Sequence, residues 1–138
     1  MSRQLTWRKK YELGVKEIDF QHHYFVELIN RLNSDLREQP DPSQRGYLIA
    51  ELNAYARFHF LSEENLMRKA RYPGLEQHRK HHYELIDSLD SRGGLLQVDY
   101  TPHKVDRVIE FLFDWFLHHT LNEDRLFADF LSAQRRQG

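Results

Sequence analysis

Four long stretches of this sequence carry apolar side chains at intervals of three and four residues, which is the period of an amphipathic α-helix. Short connections join the stretches, so consecutive helices are expected to run antiparallel. No alternating strand pattern or internal repeat competes with this interpretation. The sequence therefore predicts an all-α fold, an up-down antiparallel four-helix bundle with an ordered N-terminal arm.

The predicted boundaries place a single domain over residues 1–138, with the arm at 1–18 and the bundle at 19–134. The first helical segment, A, is predicted to start with Asp19 as its N-cap. It is predicted to end near Glu38.

The other three segments, B, C and D, are delimited by turn-forming residues. Segment B is predicted from Asp41-Pro42 to Ala70, segment C from Leu75 to Ser91 with Gly93-Gly94 as its C-cap, and segment D from Thr101-Pro102 past His119. The core stripe of segment D continues through Leu126, Phe127 and Phe130, and we expect a kink or an end somewhere past His119.

The composition excludes several classes of partner and site. Twenty Lys and Arg oppose twenty-one Asp and Glu, and no basic cluster is long enough for a nucleic-acid groove or a membrane patch. The chain has no cysteine, so a metal would have to bind nitrogen and oxygen ligands. The N-terminus lacks the apolar run of a signal peptide and no stretch is long enough for a membrane span. We therefore expect a cytoplasmic protein that binds neither nucleic acid nor membrane.

The most informative pair in segment B is His59 and Glu63. Residues four apart on an α-helix leave it about 40° apart, so both side chains point into the apolar stripe. A buried carboxylate needs a cationic partner, because an unpaired buried charge is costly. A metal ion would satisfy both residues together.

Histidine recurs in the core stripe of every segment, among nine histidines in the chain. The stripe residues able to bind a metal are His22, His59, Glu63, His78, His82 and His119. Imidazole and carboxylate suit iron, zinc, manganese or copper. The set exceeds the four ligands of a tetrahedral zinc site, which indicates two metal ions with bridging carboxylates.

Helical geometry does not decide which residue supplies the second bridging carboxylate. Glu123 lies four residues after His119 and on its face, whereas Asp124, five residues on, lies about 140° around an ideal helix. Asp124 could bridge only if the helix widened or kinked just past His119. The side chains interpreted as non-ligands are His23, His81, His103 and His118, with Glu64 solvated; Glu123 would be solvated if Asp124 is the bridge.

Several motifs together resemble one known family. They are Ile18-Asp19-Phe20-Gln21-His22, the run from His59 to Met67, His78-x3-His82, and the run from Trp115 to Asp124. Their combination resembles the hemerythrins, specifically the single-domain bacterial ones, over nearly the whole chain, including Trp7 in the arm.

The resemblance implies an oxo- or hydroxo-bridged non-haem di-iron centre that binds O₂ reversibly. It implies the following ligands: His78, His82 and His119 for one iron, His22 and His59 for the other, with Glu63 and Asp124 bridging. The second iron would be one ligand short, and O₂ would bind there. Phe25, Phe60 and Phe116 are the candidate lining of the O₂ pocket. The family often has aliphatic residues where Phe116 and Thr120 stand, which bears on pocket size and oxygen affinity.

The predicted function is oxygen carriage, storage or delivery by a monomer that is not an enzyme, to an oxygen-consuming recipient protein. O₂ or redox sensing and iron storage by the same site are the alternatives. A di-iron oxidase or peroxidase is disfavoured, because ferritin-like sites use four Glu and Glu-x-x-His pairs, whereas histidine dominates here.

Overall fold

The computed structural model describes residues 4–38, 40–98 and 100–137, without the side chains of residues 95, 97 and 98. After a 3₁₀ turn at Lys9–Tyr11, its helices are α1 (Lys16–Arg37), α2 (Pro42–Ala70), α3 (Leu75–Val98), α4 (Pro102–His118), a π-helical segment (His119–Asp124) and α5 (Arg125–Gln137). The described ranges contain no strand. The predicted all-α class is confirmed.

The helices form four rods, because α4, the π-helical segment and α5 follow one another without a break. Helix α1 packs on α2 and α4, α2 packs on α3, and α3 closes the ring on α4. The short connections make sequential neighbours antiparallel. This is the predicted up-down four-helix bundle. None of the described helices is both long and apolar enough to cross a membrane.

Two helix starts follow their predicted capping. The Asp41 carboxylate accepts a hydrogen bond from the Gln44 N–H at 2.9 Å, and the Thr101 hydroxyl accepts one from the Lys104 N–H at 3.2 Å. A proline follows each cap at the first helical position, where its missing N–H costs nothing. Helix α2 ends at Arg71 in the left-handed conformation, with φ of 57°.

The predicted start of the first helix is wrong. Helix α1 begins at Lys16, with Val15 as the N-cap residue, so Asp19 lies in its first turn. The Asp19 carboxylate instead accepts hydrogen bonds from the backbone N–H groups of Leu13 at 2.7 Å and Gly14 at 3.0 Å. Gly14 has φ of +84°, a conformation that glycine adopts without strain. Asp19 therefore fastens the arm to the helix.

The predicted end of the third helix is also wrong. Helix α3 continues to Val98, and Gly93 and Gly94 lie inside it. A Cβ atom on Gly93 would stand 2.6 Å from Cγ2 of Ile49 on α2. The missing side chain of Gly93 thus allows α2 and α3 to approach closely, and Gly93 does not act as a C-cap.

The apolar interior is divided into two clusters. The larger contains Phe25, Phe60 and Phe116, and the smaller contains Met67 and Phe127. Along each rod, buried polar residues lie between members of the two clusters. The fold therefore places a polar layer across the bundle, nearer one end.

Candidate metal centre

Seven buried side chains form this polar layer, and all four rods contribute to it. They are His22 from α1, His59 and Glu63 from α2, His78 and His82 from α3, and His119 and Asp124 from the π-helical segment. None is more than 4% exposed. Their potential ligand atoms fall into two groups: a three-histidine group of Glu63, His78, His82, His119 and Asp124, and a two-histidine group of His22, His59 and Glu63.

Glu63 faces both groups, with one carboxylate oxygen toward each. Oε1 lies 2.5 Å from Nε2 of His78 and 3.2 Å from Nε2 of His82. Oε2 lies 3.4 Å from Nε2 of His59 and 3.7 Å from Nε2 of His22. This is the arrangement that a carboxylate bridging two cations requires.

Asp124 has the same relationship to the two groups. Oδ1 lies 2.9 Å from Nε2 of His78 and 3.1 Å from Nε2 of His119. Oδ2 lies 3.0 Å from Nε2 of His22. The layer therefore has two carboxylates, each spanning the gap between the histidine groups.

The three-histidine group converges through its ring nitrogens. Nε2 of His119 lies 3.1 Å from Nε2 of His78 and 3.2 Å from Nε2 of His82. Neutral imidazoles whose lone pairs face one another at such distances need a proton or a metal ion between them. The shared focus of these donors fits a metal ion.

Charge and burial compete at the histidines of the layer. Burial lowers the pKa of His22, but contacts with the Asp124 and Glu63 carboxylates outweigh it and raise the pKa to about 9. The same balance raises the pKa of His78 to about 10 and that of His119 to about 9. His59 differs, since burial and the neighbouring charge of His22 lower its pKa to about 3.

The two carboxylates are held ionised. Burial raises the pKa of Glu63, but hydrogen-bonding contacts with four histidines outweigh it and leave the pKa well below its usual value. Burial and the Glu63 charge raise the pKa of Asp124, but contacts with His119 and His22 outweigh them and leave the pKa below its usual value. Among the described residues, Oε2 of Glu63 and both carboxylate oxygens of Asp124 nevertheless have no partner in hydrogen-bonding geometry. Buried anionic oxygens aimed between imidazoles fit a di-metal site.

The π-helical segment explains how Asp124 reaches the layer. In a π-helix the backbone hydrogen bond joins residues five apart, so His119 and Asp124 come to the same face. The predicted distortion past His119 is confirmed. Glu123 points away, with Oε2 3.4 Å from Nδ1 of the half-buried His81. Leu126, expected in the core stripe, is 57% exposed because the widened turn shifts the phase of α5.

Buried phenylalanines surround the two-histidine group. The Phe116 ring centroid lies 5.3 Å from that of His22, and the Phe25 centroid lies 6.0 Å from that of His59. Phe60 lies nearer the other group, stacked on His82 at 3.9 Å. The Phe60 centroid also lies 5.7 Å from that of His59, so all three predicted lining residues lie beside the two-histidine group, and Phe60 also contacts the three-histidine group.

Two contacts with the Nδ1 atoms of histidines in the polar layer were not expected from the sequence. Nδ1 of His59 lies 2.7 Å from the amide oxygen of Gln21, and Nδ1 of His82 lies 2.8 Å from Oε2 of Glu64. The prediction that Glu64 is solvated is wrong, since its side chain is only 13% exposed. Helical periodicity gave no signal for either contact, because both join neighbouring helices.

The other histidines lie outside the polar layer. His23, His103 and His118 are exposed. His81 is 26% exposed and faces Glu123. In the described part of the chain, none of these four belongs to a convergent group of potential ligands.

A family model described as "Hemerythrin HHE cation binding domain" matches residues 13–131. A bacteriohemerythrin of Clostridium acetobutylicum is 28% identical over 128 residues, covering 90% of this chain and 98% of that protein. Bacteriohemerythrins of Pseudomonas aeruginosa and Methylococcus capsulatus are 30% and 26% identical, over 91% and 94% of this chain and 80% and 98% of theirs. A crystal structure of a hemerythrin mutant superposes with a TM-score of 0.78 at 24% identity, covering 96% of this chain and 99% of that one.

Proposed function

Since the chain belongs to the hemerythrin family, we propose that it binds O₂ reversibly at a non-haem di-iron centre in the polar layer. Family membership supports non-haem iron as the metal. The two groups of buried donors support two ions.

The proposed ligand assignment follows the two groups of donors. His78, His82 and His119 would hold one iron, His22 and His59 the other, and Glu63 and Asp124 would bridge them. The observation that carries this assignment is that each carboxylate directs its two oxygens to different histidine groups. A single four-coordinate ion has no use for two carboxylates placed in this way.

The two sides of the proposed centre differ in the number of donors. Three imidazoles face one side and two face the other, so an external ligand would bind on the two-histidine side. When bound, the two irons would supply the electrons that O₂ accepts on binding, and they would take these electrons back when O₂ is released. The protein supplies neutral imidazoles and only two buried carboxylates. The positive charge of two iron ions would exceed the negative charge of these ligands, so the loaded site would stay cationic.

The buried phenylalanines have the role of excluding water. Phe25 and Phe116 are each 2% exposed, and their ring centroids lie 5.7 Å apart beside His22 and His59. An apolar surround keeps water and protons from the bound ligand and so favours its release as O₂. These residues suit carriage, storage or delivery of O₂ more than its chemical conversion.

The experiment is an iron analysis followed by visible spectroscopy without and with O₂. We expect two irons per chain, a nearly colourless reduced protein, and an absorption band that appears with O₂ and disappears under vacuum. One zinc per chain, or a colour change that vacuum does not reverse, would overturn the proposal. His118→Ala is the matched control for ligand variants, because His118 is exposed.

A further inference from the structure

The histidines His59 and His82 are supported by chemically different side chains. His59 is backed by Gln21, a neutral amide, and His82 by Glu64, a carboxylate. Building on the proposed di-iron centre, we propose that Gln21 and Glu64 are positioning residues that make its two sides electronically unequal. The carboxylate strengthens the donor on the three-histidine side, and the amide keeps the donor on the two-histidine side weaker.

The Gln21 side chain is fixed in one orientation. Its amide nitrogen donates to the Ser62 hydroxyl at 3.0 Å, which leaves the amide oxygen facing Nδ1 of His59 at 2.7 Å. The Tyr55 hydroxyl donates to the backbone oxygen of Gln21 at 2.8 Å. With the Gln21 oxygen as acceptor, Nδ1 of His59 carries the proton. Nε2 of His59 is then free to bind a metal on the side of Glu63.

The Glu64 side chain holds His82 in the matching tautomer. Its Oε2 lies 2.8 Å from Nδ1 of His82, so Nε2 of His82 faces the three-histidine group with its lone pair. Its other oxygen lies 3.4 Å from Nε of Arg79 and 3.7 Å from a guanidinium nitrogen of Arg68. The two arginines keep the carboxylate in place.

The difference in charge between the two backing groups decides the electronic effect. A hydrogen bond to a carboxylate makes an imidazole a stronger donor than a hydrogen bond to an amide does, because the negative charge draws the proton away from the ring. The arginines weaken this effect only partly, since Arg68 and Arg79 are 44% and 31% exposed and water screens them. Stronger donors favour the oxidised metal. The two-histidine side therefore favours the reduced metal, as release of O₂ requires.

The test replaces the Gln21 amide by a carboxylate and the Glu64 carboxylate by an amide, in separate variants of the full-length, iron-loaded protein. Gln21→Glu should lower the midpoint potential and Glu64→Gln should raise it. The charge-matched controls are Gln77→Glu and Glu84→Gln, which alter exposed residues of α3. Shifts no larger than those of the controls would overturn the proposal. A merely structural role for either residue would not move the potential in opposite directions.

A second measurement uses cobalt(II) in place of iron and needs no oxygen. Proton NMR of the cobalt-loaded wild-type protein should show exchangeable, strongly shifted signals from Nδ1–H of His59 and His82. Gln21→Glu should move one signal and Glu64→Gln the other. Alanine at either position should weaken cobalt binding about 10–100-fold. Unmoved signals would refute the positioning role even if O₂ binding is reversible. Moved signals in a protein without reversible O₂ binding would refute the proposed function alone.

Discussion

Asp124 follows His119 by five residues, yet its Oδ1 lies 3.1 Å from Nε2 of His119, because the residues from one to the other form a π-helix. A regular α-helix would have placed Glu123 on that face instead. The widened turn thus selects which of two adjacent acidic residues enters the bundle.

The first prediction concerns these adjacent carboxylates. Asp124→Ala should reduce the metal content from two ions to at most one per chain, since both histidine groups lose a shared ligand. Glu123→Ala should keep two ions, because Glu123 faces His81 and not the polar layer. Iron stoichiometry and the O₂-dependent absorption band measure both effects. The reverse pattern would show that Glu123, not Asp124, is the bridge.

The second prediction concerns a histidine ligand. His82→Ala should lower metal occupancy as well as O₂ binding, because a ligand of the metal also ties α3 to α2 and the π-helical segment. Thermal unfolding followed with and without iron should show a smaller metal-dependent stabilisation than in the wild type. His118→Ala should leave both quantities unchanged. Full iron loading in His82→Ala would contradict the ligand assignment.

The third prediction concerns water access to the two-histidine side. Phe116→Ala should leave two irons bound but speed oxidation of the reduced, O₂-exposed protein, because the Phe116 ring lies against His22. Removing this buried ring also costs about 3–5 kcal/mol of stability, so Phe116→Leu is the milder companion variant. Phe113→Leu shortens an equally buried side chain outside the polar layer and is the control. An oxidation rate equal to that of the control would remove Phe116 from the pocket.

The fourth prediction concerns protons. In the metal-free layer the pKa values of His22, His78 and His119 are about 9 to 10, above the ordinary 6.5. Folding stability from these protonated histidines is fully present below pH 6.5 and is lost as the pH rises through 9 to 10. Metal binding needs neutral imidazoles, so uptake at pH 7 should release protons and strengthen as the pH rises. Calorimetry in buffers of different ionisation enthalpy measures the release. Uptake without proton release would contradict the charge state described here.

The fifth prediction concerns Thr120, which is 1% exposed. Its hydroxyl has no hydrogen-bond partner among the described residues. Burial of an unpaired hydroxyl costs about 1–3 kcal/mol, so Thr120→Val, which keeps the shape, should raise the melting temperature of the metal-free protein by a few degrees. Thr101→Val should lower it instead, since Thr101 caps α4. A lower melting temperature in Thr120→Val would show that the hydroxyl is satisfied.

The features that could be predicted from the sequence are those set by local rules. Apolar periodicity predicted the four rods, and the capping residues Asp41 and Thr101 predicted two helix starts. A kink or widened turn past His119 was predicted from a conflict, since regular geometry favoured Glu123 while the family motif required Asp124; the structure shows it as a π-helix. In each case the signal lies within one segment of chain.

The features that could not be predicted depend on contacts between segments. Gly93 was expected to end a helix, but the neighbouring Ile49 explains its small size. Asp19 was expected to cap a helix, but it binds the arm that precedes it. The contacts of Gln21 with His59 and of Glu64 with His82 depend on the relative rotation of paired helices, which periodicity does not specify.

The polar layer between the two apolar clusters has a consequence for local unfolding. The smaller cluster, around Met67 and Phe127, is separated from the larger one by the histidines and carboxylates of the polar layer. A bound metal would attract these side chains to one point, whereas in the metal-free layer the two carboxylates repel each other. Removing the metal should therefore raise amide hydrogen exchange first in α5 and around Leu13 and Val15, while the Phe25 end of the bundle, on which Leu5 and Trp7 pack, stays protected. The metal centre would then connect two parts of unequal stability, so that they unfold as one cooperative unit.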